Sequence, residues 1–343
     1  MPVSIVIGGQ FGSEGKGKVS YCFAQKLNAA AVVRVGGINS GHTVVSPTGE
    51  EYIFRTLPTA AIDNSKLCIL PSGSYIDIDI LRSEINISGI APENLKIDEY
   101  AVVIDKTMIE AERQSNLRER IGSTASGTGV AVITRLERER EGIFAKDCVT
   151  LKPYTTDTKK LMRNILNERK HIIIEGTQGF GLSPINSAYY YPHCTSRDTT
   201  AAGFLTETGL SPFDVENVIM VIRSYPIRVS GESGELVNET NWQDVTHQSG
   251  STSDLTEHTS ATKRIRRIAA FDAEIVKKAI EVNRPNIIVL NHVDYVDYSC
   301  HDSDKLTTSV TEFIKKTSKD IGQAVDYVGT GKTDISHVLE GQL

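Results

Sequence analysis

Eleven residues, Gly8-Gly-Gln-Phe-Gly-Ser-Glu-Gly-Lys-Gly-Lys18, follow directly on the apolar run Ser4-Ile-Val-Ile7 and lead into a stretch of helical pattern. A strand, then a loop rich in glycine and lysine, then a helix sets backbone N–H groups and ammonium charge where a phosphate can sit. The loop is not a Walker A box, which needs four residues before Gly-Lys and then Ser or Thr. Five residues separate Gly9 from Gly15 here, and Lys16 is followed by Gly17. The Gly-x-Gly-x-x-Gly order of a dinucleotide turn is missing as well. A tight turn that merely needs glycine is the plain alternative, and the converging lysines argue against it.

Further short β-branched runs recur at Ala31–Val35, Ala101–Ile104, His171–Glu175, Val218–Ile222 and Ile287–Leu290. Their length and lack of alternation suit strands covered on both faces. Helical periodicity runs between them, over Thr156–Arg169, Asp272–Asn283 and Lys305–Asp320. The expected fold is α/β: a mainly parallel central sheet flanked by helices, with long functional loops and a phosphate loop after the first strand. With no repeat or linker, residues 1–343 read as a single domain. The charged run Arg135–Glu141 reads as a solvated helix face.

A net charge of −6 at 343 residues gives no chain-wide basic field for nucleic acid. Neither a membrane-length apolar run nor a leader segment is expected. Five scattered cysteines and eight unclustered histidines suit a reducing compartment and no structural zinc, so a cytoplasmic protein is expected.

Polar, glycine-rich strings stand just after the strands: Gly36–Thr43, Leu70–Gly73, Ile121–Thr124 and Glu175–Gly179. Thr195-Ser, Tyr225–Val229 and Thr262–Arg267 with Phe271-Asp272 follow them. In this order they resemble the adenylosuccinate synthetases over nearly the whole chain. That resemblance implies a C–N ligase using Mg²⁺. The purine 6-oxygen is phosphorylated by a nucleoside triphosphate, and the amine of L-aspartate then displaces the phosphate.

By the same resemblance, Gly12, Ser13, Glu14, Gly15, Lys16, Gly17, Gly41, His42 and Thr43 serve the phosphate donor, with His292, Asp294, Thr330 and Gly331 at its base. Ser13 and Gly41 would ligate the metal, and Ser13 and His42 are the catalytic pair, His42 as general acid. Acceptor and aspartate contacts fall to Ser13, Asn39, Ser40, Ser123, Thr124, Arg138, Gln178, Thr195, Thr262, Arg264 and Arg266. Arg138 matches an arginine that acts on a neighbouring subunit's nucleotide, which implies a homodimer. Two guanidinium forks suit a dicarboxylate.

Ser13 departs from the family, which carries an aspartate there to accept the N1 proton of inosine monophosphate. Serine is a poor base, so either the chain is a degraded synthetase or its pocket takes another purine. The 2-amino group of guanine lies beside N1, where an aspartate would crowd it. A hydroxyl leaves room and accepts a hydrogen bond from N1–H or the amine. The pattern resembles the phage branch that joins aspartate to dGMP, giving 2-amino-2′-deoxy-N6-succinyl-AMP for diaminopurine DNA. His292 and Lys332 depart from the family's guanine-reading strings, which favours ATP or dATP over GTP. Ordinary chemistry on IMP with GTP remains the enzyme alternative, beside nucleotide binding without catalysis. A GTPase switch and a dehydrogenase lack their motifs.

Overall fold

The β-branched runs pair side by side. In the computed structural model, which describes residues 2–138, 141–259 and 263–338, ten strands among those residues form one sheet. In chain order they are β1 (Val3–Gly8), β2 (Ala31–Arg34), β3 (Leu67–Leu70), β4 (Leu95–Asp98) and β5 (Thr155–Thr156). Then come β6 (Ile172–Glu175), β7 (Val215–Arg223), β8 (Ile287–Asn291), β9 (Tyr327–Gly329) and β10 (Ser336–His337). Their spatial order is β10-β9-β8-β7-β1-β6-β2-β3-β4-β5, and all pairings are parallel except β9 with β10.

Alternate side chains serve two cores. Ile5 and Ile7 enter one with Val33, Ile174, Met220 and Ile222, covered by helices Ala201–Thr208, Ala273–Asn283 and Thr308–Ile321. Val6 enters the other with Val32, Ile173, Val221 and Val289, covered by α1 (Lys16–Lys26) through Val19 and Phe23. Burial on both faces explains the unalternating runs, at about 1.5–3 kcal/mol per large aliphatic side chain.

The chain leaves β1 for β2 on one side, and leaves β6 for β7 on the other. Loops from the carboxyl ends of these strands therefore open around one crevice, the usual ligand position in such sheets.

Three expectations need adjustment. The run Ala101–Ile104 supplies only Val102–Val103, paired with Tyr75–Ile76 outside the large sheet. The anticipated helices are shorter at their starts, at Thr158–Asn167, Ala273–Asn283 and Thr308–Ile321, because Asp157, Asp272 and Thr307 cap them. The charged run after Arg135 is not one solvated helix face. Helix Thr128–Glu137 ends at Arg138 in the left-handed region, and Glu139 and Arg140 lie outside the described residues. Arg135 turns inward, donating from Nη1 to the Ser72 carbonyl at 2.6 Å. No helix among the described residues is long and apolar enough to cross a membrane.

Candidate active site

The phosphate loop is shaped by its own buried carboxylate. Glu14 is fully buried and accepts from the N–H groups of Gly12 at 2.8 Å and Gln10 at 3.2 Å, and from Lys16 Nζ at 2.6 Å. Gly15, at φ 91°, begins α1, and a Cβ there would stand 2.6 Å from the Asn291 amide nitrogen. Asn291 donates to the Glu14 carbonyl at 2.7 Å. The loop is thus tied to the end of β8 before any ligand arrives. Expected to face phosphate directly, Lys16 is 3% exposed and paired with Glu14.

His42 lies behind this loop on the first strand of the hairpin His42–Val45/Glu51–Phe54. A Cβ on Gly17 would meet its Cβ at 2.8 Å. His42 Nδ1–H donates to Glu175 Oε1 at 2.7 Å. Arg34 Nη1 donates to the same oxygen at 2.7 Å and also touches Nδ1. The second Glu175 oxygen accepts from the Thr59 N–H at 2.9 Å and its hydroxyl at 2.7 Å. Burial first, then the Arg34 charge, push the His42 pKa down to about 3, so the ring is neutral. Against the upward push of burial, His42 and Arg34 hold the Glu175 carboxyl below its ordinary value.

On the other side of the loop an open cleft is lined by Gly12, Ser13, Asn39, Ser40, Gly41, Ser123, Thr124, Gln178, Thr195, Arg264 and Arg266. Nearly the whole expected acceptor set therefore comes together. Ser13 is exposed at φ 57°, and its hydroxyl accepts from Arg266 Nη1. Asn39 Oδ1 and Gln178 Oε1 are buried without a hydrogen-bond partner, an arrangement that costs stability until a donor arrives. The hydroxyls of Ser123 and Thr124 are already donated, to Glu112 at 2.9 Å and to Ser126 at 3.1 Å. A phosphate there must draw them off those partners. Thr43 is exposed on the hairpin, and Thr262 lies outside the described residues. Arg138 is exposed at the end of its helix and lines no part of its own chain's cleft.

The residues expected to serve the donor base form a separate group. Asp294 is 3% exposed and its Oδ2 accepts from His301 Nδ1 at 2.7 Å, while Oδ1 has no partner. Burial raises its pKa. His292, at φ 61°, is held neutral by burial and by Arg223. Thr330 donates its hydroxyl to Ser303 at 3.0 Å, and the Gly331 carbonyl accepts from Lys18 Nζ at 2.8 Å. Thr330 and Gly331 line a small hollow of about 60 Å³ with Asp302, Asp304 and Asp334.

Sequence reasoning passed over Arg34, Glu175 and Arg223, which end β2, β6 and β7. A charged residue closing an apolar run at the carboxyl edge of a parallel sheet was the available signal. Glu112, Arg118 and Arg228 also line the cleft. Arg228 is 3% exposed, with its guanidinium 4.5 Å from the Phe11 ring centre.

The family model described as adenylosuccinate synthetase matches residues 5–150 and 144–301. The adenylosuccinate synthetase of Methanococcus aeolicus is 34% identical over 342 residues, spanning 96% of this chain and 97% of its own. That of Thermococcus onnurineus is 33% identical, spanning 99% and 98%. Among solved structures, the succinoaminodeoxyadenylate synthetase of cyanophage S-2L, bound to dGMP and to dATP as an energy donor, superimposes with a TM-score of 0.81. It is 26% identical over 98% of this chain and 95% of its own. Fully ligated adenylosuccinate synthetase from Plasmodium falciparum, at 18% identity, TM-score 0.85 and coverage of 99% and 100%, shares the fold.

Proposed function

Because this chain belongs to the adenylosuccinate synthetase family, and is therefore a C–N ligase joining aspartate to a purine nucleotide, we propose that its acceptor is dGMP and its phosphate donor ATP or dATP. The observation that carries the reading is Ser13, whose short hydroxyl lines the open cleft where the family has a carboxylate. It leaves space for the guanine 2-amino group and offers an oxygen to it. The cyanophage synthetase, bound to dGMP and dATP, supports the same choice.

The chain's own residues divide the work. Asn39 Oδ1 and Gln178 Oε1, lacking donors, would each take an N–H from the acceptor nucleotide. Arg264 supplies a fork for one aspartate carboxylate, and Arg266, whose Nη1 and Nε are engaged by Ser13 and His258, offers its Nη2 to the other. Glu175 holds the Nδ1–H of His42, so the neutral ring carries its lone pair on Nε2. Arrival of the polyanionic donor favours a proton at that atom, and Glu175 then stabilises the imidazolium. His42 can thereby donate a hydrogen bond to the transferring group, a role worth about 10²–10⁴ in rate.

Mg²⁺, which the family uses, fits the oxygen donors of Ser13 and Gly41, which line one cleft. Among the described residues no cluster of three acidic, histidine or cysteine side chains can hold a metal, so the triphosphate must supply the remaining ligands. When bound, the ion neutralises charge on the phosphoryl group.

A homodimer is supported by Arg138, exposed and off its own cleft. The competing substrate reading, IMP with GTP, is favoured by the curated relatives, which carry the name adenylosuccinate synthetase at higher identity than the phage protein. One assay separates the two. Purified protein with aspartate and Mg²⁺ is given dGMP or IMP, each with ATP, dATP or GTP, and nucleoside diphosphate release is followed. Turnover on dGMP with ATP or dATP is expected, and turnover confined to IMP would refute the proposal.

A further inference from the structure

One carboxylate joins three parts of this site. Glu257 stands beside the antiparallel bridge between His258 and Ile265, where the Arg266 N–H donates to its carbonyl at 2.9 Å. Its side chain, 22% exposed, accepts from Arg223 Nη2 and from the Tyr295 hydroxyl at 3.1 Å, and lies 3.8 Å from Arg266 Nε. Arg223 is completely buried, and its Nη1 donates to the Ser13 carbonyl at 3.0 Å. Arg266 donates from Nη1 to the Ser13 hydroxyl and from Nε to the His258 carbonyl at 3.2 Å. Ser13 is therefore gripped by two guanidiniums, and one anion is hydrogen-bonded to the first, Arg223, and forms a longer ion pair with the second, Arg266. Burial opposes that anion, but the charge and hydrogen bond of Arg223, with Arg266 beyond it, hold its pKa down to about 2, so it remains charged.

Resting on the dGMP reading, we propose that Glu257 is a positioning residue for the Ser13 hydroxyl. By aiming Arg266, it keeps one lone pair of that oxygen occupied and leaves the O–H free for the purine edge. In bound dGMP, N1 carries a proton and is a donor. In the 6-phosphoryl intermediate that proton has passed to water, to which the cleft is open, and N1 is an acceptor. A hydroxyl already receiving a bond from a guanidinium is a stronger donor and a weaker acceptor, so it matches the intermediate better than the substrate. Interactions that improve along the reaction raise turnover instead of binding. Ser13 gives up no proton in this arrangement; it donates a hydrogen bond. Glu257 touches neither substrate and acts through Arg266 and Ser13.

The test is a kinetic cycle on the full chain, run with whichever acceptor the wild type turns over. Glu257→Gln preserves shape and removes the charge. It should lower kcat about tenfold to a hundredfold, while KM for the acceptor stays within about twofold. Glu257→Asp, which restores the charge, should recover part of the loss. In a Ser13→Ala background the Glu257→Gln penalty should nearly vanish, because both changes disable one unit. An unchanged kcat, a defect confined to KM for aspartate, or an undiminished penalty beside Ser13→Ala would each overturn the inference. If thermal unfolding shows that Glu257→Gln does not fold, Tyr295→Phe, which removes one hydrogen bond from the same carboxylate, enters the cycle instead. Wild-type turnover restricted to IMP refutes the acceptor reading and leaves this cycle measurable; turnover on dGMP without a Glu257 effect refutes this inference alone.

Discussion

The cleft proposed for the acceptor and the hollow proposed for the donor are built in different ways. Around the cleft, Asn39 and Gln178 hold buried acceptors with no partner, and Arg264 is exposed at its wall. On the residues expected at the donor, more of the groups are consumed: His301 occupies one oxygen of Asp294 and leaves the other without a partner, Ser303 takes the Thr330 hydroxyl, and Lys18 takes the Gly331 carbonyl. Unpaired buried acceptors reward the one ligand that supplies donors and penalise others. A self-satisfied surface must exchange existing bonds for new ones, and discriminates less. The acceptor should therefore be selected strictly and the donor loosely.

The largest effect is expected at His42. Replacing His42→Ala should lower kcat by about 10²–10⁴, read by diphosphate release, with nucleotide binding retained in a filter or calorimetric assay. Unchanged turnover would mean that the His42–Glu175 pair serves only the fold.

Next comes acid sensitivity. His42 and His292 are both neutral in the folded chain, through burial first and neighbouring cations second. A histidine pKa lowered on folding means that the unfolded chain binds more protons below its pKa of about 6.5. Stability should be complete above that pH and fall as the pH drops, by about 2 kcal/mol from pH 6.5 to pH 5 for His42 alone. Urea midpoints at the two pH values measure the loss. His42→Gln and His292→Gln should each flatten it, and a slope changed by only one of them would show that the two sides differ in dryness.

Ser13→Asp sharpens the acceptor half of the comparison. A carboxylate beside the 2-amino position should shift the ratio of kcat/KM between dGMP and IMP by about tenfold or more toward IMP, a change of roughly 1–3 kcal/mol in differential binding. An unmoved ratio would remove Ser13 from acceptor choice. The smallest effect belongs to the donor side. Asp294→Asn should alter the ATP-to-GTP ratio only a few-fold, about 1 kcal/mol or less, and a change as large as that at Ser13 would break the contrast.

Much of this site was readable from the chain alone, and the reasons are local. The glycines of the phosphate loop are demanded where Gly15 adopts φ 91° and Gly17 packs on His42, so their spacing is a direct record of backbone shape. Ser13, Asn39, Gln178 and Arg264 stand in loops after strands, and a parallel sheet carries such loops to one edge. Arg34 and Glu175 escaped notice because their meaning lies in the sheet register. They are paired residues on β2 and β6, 141 positions apart in sequence. The grip of Glu257 on Arg223 likewise joins a loop residue to a strand end 34 residues away.

The β-branched runs alone foretold a parallel sheet, since doubly covered runs have few other ways to bury both faces, and the glycines and lysines after the first of them marked the loop proposed to receive phosphate. Only tertiary structure decided which charges meet: Glu14 with Lys16 inside the loop, Glu175 behind His42, and Glu257 between two arginines at Ser13. Burying an ion requires a partner at hydrogen-bond distance, and that distance is set by strand register and loop closure, which no short stretch of chain contains.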